Sequence, residues 1–366
     1  MIKLSMPDMG QEELEQIKEV LDSGYLIQGD KVDEFENLVK DYLSAKHVIA
    51  VSSGTAALHL ALLALDIKAG DEVIVPDFTF PATANVIEIL GATPIFVDID
   101  LESFCIDPKK IEEKISSRTK AVMPVQEFGQ SSDMNKILEL AKHYNLKVIE
   151  DAACAFGSEY KNYKVGTIGE IGCFSLHPRK AITTGEGGLL STNNNEYAEK
   201  IKILRNHGIK YINGKANFVM PGLNYRLTNI QGAIGIAQMD KLETINNRRK
   251  DIAESYYNLL KSNSKITLPK EMNYGKHIWQ TYHILIDKKY NRDEVIIKLK
   301  KKGIETNFGA NSVHMQPYYK DKYNLDSNIL NNSVYSFNQG LALPLHPNLN
   351  KDEVKYIANS LCEILA

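Results

Sequence analysis

The chain predicts an α/β fold: a mostly parallel, seven-stranded sheet in a large domain, followed by a smaller α+β domain. Three observations carry this reading. Between Lys46 and Thr192, short runs rich in β-branched and apolar residues alternate with segments of helical spacing. Most of these runs are too continuously apolar for a sheet with one wet face, so helices must cover both sides. Beyond about residue 240 the alternation gives way to longer helical stretches.

Taken in order, strands are expected at 48–51, 72–75, 94–97, 121–125, 147–150, 172–176 and 187–191. Helical spacing falls between them at 56–65, 81–90, 108–115 and 134–144. A helix crossing between successive strands makes the strands parallel. Asn193, Asn194 and Asn195 read as a turn. The second half opens with one long, partly exposed helix at 234–260, with Arg248, Arg249 and Lys250 on its polar side. A strand at 283–286 and helices at 292–302 and 351–365 complete it, the lysine-rich end of the first being a solvated face. The large domain is expected at 12–240 and the small one at 241–366, with residues 1–11 packing on the small one.

Hydrophobic residues make up 43% of the chain and charged residues 24%, an ordinary globular balance. A net charge of −3 offers no electrostatic attraction for nucleic acid or an anionic membrane. No apolar run reaches the roughly 18 residues of a membrane span, and the first residues lack the apolar core of a signal peptide. Cys105, Cys154, Cys173 and Cys362 are scattered, without zinc, iron–sulfur or disulfide spacing, so no metal is expected. The expectation is a soluble cytoplasmic protein.

Three features bear on chemistry. Lys180 lies between His177 and Gly188, after the apolar run 171–176 and before glycine-rich chain. An amine at a strand end can point into a site and bond a carbonyl cofactor, although a lone loop lysine is more often solvated. Ser53, Gly54, Thr55 and Ala56 join the first strand to its helix, where free N–H groups and the positive helix end suit a phosphate. A plain helix cap is the competing reading. Asp151 ends a parallel strand, beyond which ligands of open α/β sheets bind. It suits a protonated heteroaromatic nitrogen, or it caps the following segment.

With the phosphate cradle, the strand-end acid and the lysine together, the chain resembles the fold-type I pyridoxal-phosphate enzymes, and more narrowly the DegT/DnrJ/EryC1/StrS family of sugar aminotransferases. The motifs are Ser53 to Leu58, Glu150 to Ala153, Ser175 to Lys180 with Thr184 to Gly188, and Asn224 to Thr228 with Gln231 to Ala233. The resemblance runs from Ser23, Gly24 and Tyr25 to Pro347, almost the whole chain. It implies that Lys180 bonds the cofactor's aldehyde carbon and, once freed, carries the proton. It implies that Asp151 pairs with the ring nitrogen, that Gly54, Thr55, Ala56 and Ser175 hold the phosphate, and that Phe80 stacks on the ring. Asn224 and Arg226 match residues that cross a dimer interface into the partner's site, Asn224 toward the phosphate and Arg226 toward donor or substrate. His177, three residues before Lys180, is placed to face the substrate, with a structural hydrogen bond as the competing reading. Asn307, His314 and Tyr318 match the region that shapes the sugar pocket, though ordinary loop polarity explains them as well.

The chain also departs from the family's commonest pattern. Cys154 stands where many relatives carry Gln or His beside the cofactor's hydroxyl, and Gln126 and Phe156 where His is frequent. The implied activity is transfer of an amino group from glutamate to a nucleotide-linked keto sugar, a 4-keto or 3-keto deoxyhexose, by a homodimer with shared sites. Alternatives are a sugar dehydratase, a cyclitol aminotransferase, or a cofactor-binding regulator without catalysis. Dehydrating relatives tend to carry His in place of the lysine, and Lys180 is present. No basic DNA-binding segment accompanies a regulator reading, and the glycine fingerprint of a nicotinamide dehydrogenase is absent.

Overall fold

The computed structural model describes the backbone of residues 1–366 and every side chain except that of Ser327. Seven strands form the central sheet: β1 (His47–Val51), β2 (Glu72–Pro76), β3 (Thr93–Val97), β4 (Thr119–Val122), β5 (Lys147–Asp151), β6 (Ile171–Ser175) and β7 (Gly188–Thr192). Their spatial order is β1-β7-β6-β5-β4-β2-β3. From β6 to β3 all neighbours are parallel. Only β7 runs antiparallel to both its neighbours. It follows β6 through a loop, 176–187, with no crossover helix to carry the chain back to the starting edge.

Around the sheet lie α1 (Gln11–Ser23), α2 (Asp30–Leu43), α3 (Gly54–Ala64), α4 (Ala82–Ile89), α5 (Met134–His143) and α6 (Asn195–Arg205). Helix α3 is apolar nearly all round and buries Ala56, Ala57, Leu58, Leu60, Ala61, Leu62 and Ala64. That composition suits a helix enclosed between sheet and neighbours. The asparagine run resolves into the start of α6: Asn194 Oδ1 accepts from Glu196 N and Tyr197 N and caps the helix.

Several sequence expectations need correction. Residues 108–115 form two 3₁₀ turns, Pro108–Lys110 and Glu112–Lys114, in place of a helix. Ile111 is driven into the core between them, and so short a segment tethered at both ends takes the tighter geometry. Strand β4 ends at Val122, before Pro124, which has no N–H for the ladder. The long helix, α7 (Asn229–Leu260), begins five residues before the expected 234, because Thr228 and Gln231 form a capping box. Arg249, expected on its polar side, is 1% exposed.

Helix α7 serves both halves of the molecule. Ile236, Leu242 and Ile245 join the core beneath β1 and β7, whereas Ile252, Ala253, Tyr256 and Leu260 join a second core. That second core is built on the antiparallel strands β8 (Ile266–Thr267), β9 (Tyr282–Ile286) and β10 (Gly340–Leu343), in that order. Helices α8 (Arg292–Lys301), α9 (Pro317–Tyr323), α10 (Asn331–Gln339) and α11 (Lys351–Ile364) complete the C-terminal half. The N-terminal segment docks there too: Ile2 N donates to Gly303 O at 2.7 Å, and Leu345 N donates to Leu4 O at 3.1 Å. Among the described residues no helix is long and apolar enough to cross a membrane.

Glu150, the penultimate residue of β5, is fully buried, yet it accepts four hydrogen bonds. Ile168 N and Gly169 N donate to Oε1 at 2.7 and 2.8 Å. Gly166 N and Gln126 Nε2 donate to Oε2 at 2.9 and 3.1 Å. Glu150→Ala would strand these donors in the core and should destabilise the protein by about 3 kcal/mol or more. A urea-unfolding midpoint equal to that of the parent protein would contradict this account of the clamp.

Candidate active site

A cavity of about 370 Å³ opens beyond the C-terminal ends of β1, β5 and β6, the edge at which parallel α/β sheets offer backbone ends to ligands. Three of its walls follow directly from local sequence.

The first wall is the start of α3. Ser53 Oγ accepts from Ala56 N at 3.0 Å and caps the helix, while the first-turn amides of Gly54 and Thr55 have no intrahelical partner. A Cβ on Gly54 would stand 2.9 Å from Ser175 Cβ. Glycine therefore lets the helix start and Ser175, the last residue of β6, close on one spot. Ala56 is buried and its N–H is committed to Ser53, so it lies behind this wall.

The second wall is Asp151, at the end of β5. Thr83 Oγ1 donates to Oδ2 at 2.8 Å and Ala153 N to Oδ1 at 3.2 Å. Burial raises its carboxyl above the usual range, while Thr83, Ala153 and the charge of Lys180 pull the other way. A cation across the cavity supplies what this buried carboxyl lacks.

The third wall is the loop after β6. Lys180 N donates to His177 O at 2.8 Å, and Thr184 N and Thr183 Oγ1 both donate to Leu176 O. Gln280 Nε2 holds Arg179 O, and Arg249 Nη2 approaches Lys180 O at 3.5 Å. Arg249 spends its other contacts on carbonyls, Gln280 O at 3.0 Å among them, and burial lowers it to about 10. So held, Lys180 Nζ reaches into the cavity and donates to Cys154 Sγ at 3.0 Å. At the mouth Phe80 is 64% exposed, which leaves its ring free to cover a flat ligand.

His177 and Asn307 also line the cavity. His177 Nδ1 accepts from Arg179 N at 3.2 Å, and burial with the Arg179 charge lowers its pKa. The structure does not bring His314 or Tyr318 to these walls. His314 is buried against Asp77, its N and Nδ1 at 2.8 and 2.7 Å from the two carboxyl oxygens. Tyr318 is exposed and faces Glu88. Asn224 and Arg226 lie outside this chain's cavity. Arg226 Nη1 donates to Asn206 Oδ1 at 2.5 Å, in a separate groove with Tyr25, Ile27 and Tyr211. Gln126 belongs to the Glu150 clamp, and Phe156 packs on Phe174 and Tyr42.

Sequence reasoning missed four residues. Thr83 carried a signal, three positions after Phe80 at a helix start. Glu127, on the cavity wall just past β4, carried the same strand-end signal as Asp151. Gln280 and Arg249 carried none, since they arrive from the C-terminal half and from the middle of a long helix.

An amine, a buried acid facing it and an anion cradle to one side match a ring that carries an aldehyde, a basic nitrogen and a phosphate. Pyridoxal phosphate is such a ring, and its demands fit the residues present. The fold and this site define a fold-type I pyridoxal-phosphate enzyme. The family model of the DegT/DnrJ/EryC1/StrS aminotransferase family matches residues 7–362. The chain is 38% identical to GDP-perosamine synthase of Caulobacter vibrioides, over 100% of this chain and 98% of the relative. Its structure matches that of Helicobacter pylori PseC, an aminotransferase involved in pseudoaminic acid biosynthesis, with a TM-score of 0.94 at 31% identity, covering 99% and 98% of the two chains. A putative sugar aminotransferase of Streptococcus pneumoniae matches in its PLP form and its PMP form, with TM-scores of 0.93 and 0.94 at 29% identity. Those matches cover 99% of this chain and 98% and 97% of the streptococcal one. The protein belongs to the DegT/DnrJ/EryC1/StrS aminotransferase family and is a pyridoxal-phosphate-dependent sugar aminotransferase.

Thr83→Val keeps the side-chain shape and removes the donor to Asp151. Loss of a hydrogen bond to a buried acid, about 1.5 kcal/mol, should weaken cofactor retention roughly tenfold. Equilibrium dialysis against pyridoxal phosphate measures this directly, and unchanged retention would mean that Thr83 does not support the acid.

Proposed function

We propose that this cytoplasmic protein moves an amino group from glutamate to a nucleotide-linked keto sugar, a 4-keto or 3-keto deoxyhexose, in a homodimer whose sites each draw on both chains. The observation that carries the reading is the convergence of Lys180, Asp151 and the start of α3 on one cavity, with polar groups left over on its walls. The relative named GDP-perosamine synthase supports a nucleotide-linked sugar.

When bound, the cofactor supplies an aldehyde that bonds amines and a ring that draws electrons from the neighbouring C–H bond. The chain's residues supply the rest. Lys180 Nζ takes the proton from the donor's α-carbon and, in the second half-reaction, delivers one to the sugar carbon that gains nitrogen. Asp151 holds a positive charge opposite its carboxyl throughout. Gly54, Thr55, Ser175 and the first turn of α3 that Ala56 helps to fix hold the phosphate, and Phe80 covers the ring and excludes water. His177 and Asn307 meet the sugar.

Asn224 and Arg226 reach the partner's cavity in this reading. Its support is that they lie off their own chain's cavity, with Arg226 in a groove beside exposed Tyr25, Ile27 and Tyr211. Exposed apolar side chains clustered in this way suit a face that another chain covers.

Glutamate added to the cofactor-loaded protein should abolish the visible cofactor band, and a nucleotide-linked keto sugar should restore it. A band that ignores glutamate would exclude it as donor. Lys180→Ala and Arg226→Ala are each expected to be inactive. Mixed and allowed to exchange subunits, they should recover about a quarter of parental activity, since half the dimers are hybrids and each hybrid has one intact site. No recovery despite proven exchange would exclude shared sites.

A further inference from the structure

Glu127 lines the active-site cavity, yet amine transfer as described gives it no task. It follows β4 at the sheet edge where the parallel neighbour β5 delivers Asp151. The residue is 5% exposed. Its turn is tightly held: Phe128 and Gly129 adopt φ of 55° and 94°, the former a left-handed value unusual for a side-chain-bearing residue. Gly129 O accepts from Ser158 Oγ at 2.7 Å and Phe128 O from Thr281 N at 3.3 Å. A Cβ on Gly129 would meet Ile278 Cγ1 at 2.7 Å, so the turn packs too closely on Ile278 to admit a side chain there.

The titratable groups that interact with this carboxyl and its turn are Lys180, Asp151, the Cys154 thiol and the buried Cys105 thiol. In pyridoxal phosphate the aldehyde and the nitrogen lie across the ring from each other, and the phosphate arm leaves one edge. With the aldehyde at Lys180, the nitrogen at Asp151 and the phosphate at Gly54 and Ser175, the opposite edge carries the phenolic oxygen beside the aldehyde carbon. Cys154, next to Lys180, is a poor hydrogen-bond donor. We propose that Glu127, as a neutral acid, donates its O–H to the phenolic oxygen of pyridoxal phosphate and so sets the protonation of the loaded site. Burial raises the carboxyl to about 8, opposed by the Lys180 charge and reinforced by Asp151. At neutral pH it therefore retains the proton to be donated. The inference rests on the cofactor alone and is independent of the sugar and the amino donor.

The test is a pH titration of the visible cofactor band in the loaded parent protein, Glu127→Gln and Glu127→Leu. The band reports the proton shared between Lys180 Nζ and the phenolic oxygen. A donor on that oxygen stabilises its negative charge and weakens its hold on the proton, which lowers the midpoint. Glu127→Leu should raise the midpoint by about one unit, and Glu127→Gln, which keeps a donor, should stay close to the parent value below pH 8. A Leu midpoint equal to the parent's, or a Gln midpoint displaced as far as the Leu one, overturns the proposal. Should the Leu variant fail to fold, infrared difference spectra of the parent protein decide. A protonated-carboxyl C=O stretch that shifts on loading the cofactor, and is missing in Glu127→Gln, supports the proposal, and its absence from the parent protein overturns it.

Discussion

Successive side chains of a strand point to opposite faces, and at the end of β5 this rule separates two neighbouring buried carboxyls. Glu150 turns away from the site and satisfies both oxygens on Gly166, Ile168, Gly169 and Gln126. Asp151 turns toward the cavity with fewer donors than a buried charge needs. The first is a clamp that sets the chain between β5 and β6, and so the approach to Ser175 and Lys180. The second is a carboxyl whose environment invites a cation. Exchanging the two would shorten the clamp's side chain by one methylene and lengthen the cavity's by one, moving each carboxyl off its present donors.

The lysine loop depends on the opposite half of the molecule. Arg249 sits in the interior with carbonyl oxygens as its partners, and it joins the Lys180 peptide to Gln280 and Leu345. Because α7 runs unbroken from the core under β1 into the C-terminal core, the arginine is delivered by a rigid rod. Placement of the amine thus relies on packing between the halves as much as on the strand that precedes it. The Glu127 turn is pinned in the same way, through Phe128 O and Thr281 N.

The parts of the fold that were legible are those whose signals are local. Continuous apolar runs between helical segments mark the seven strands, and their order along the chain with crossover helices makes most of them parallel. Boundaries slipped where a single residue overrode the pattern, as Pro124 did for β4 and the Thr228 cap for α7. Segment 108–115 has helical spacing but too little length to propagate, and the buried Ile111 decided its geometry.

For the site, the sequence by itself determined the amine, the strand-end acid and the glycine-opened helix start, because each is set by position at a strand terminus or a cap. It also presented two carboxylates and a Gln-Glu pair, Gln126 and Glu127, without saying which member of each faces the cavity. Tertiary structure decided that, together with the roles of Thr83, Gln280 and Arg249 and the placing of His314 on Asp77 outside the walls. The physical reason is that strand ends and caps follow from neighbours within a few residues. Burial, the donor that reaches a given oxygen and the wall a side chain joins follow from the docking of segments far apart in the chain.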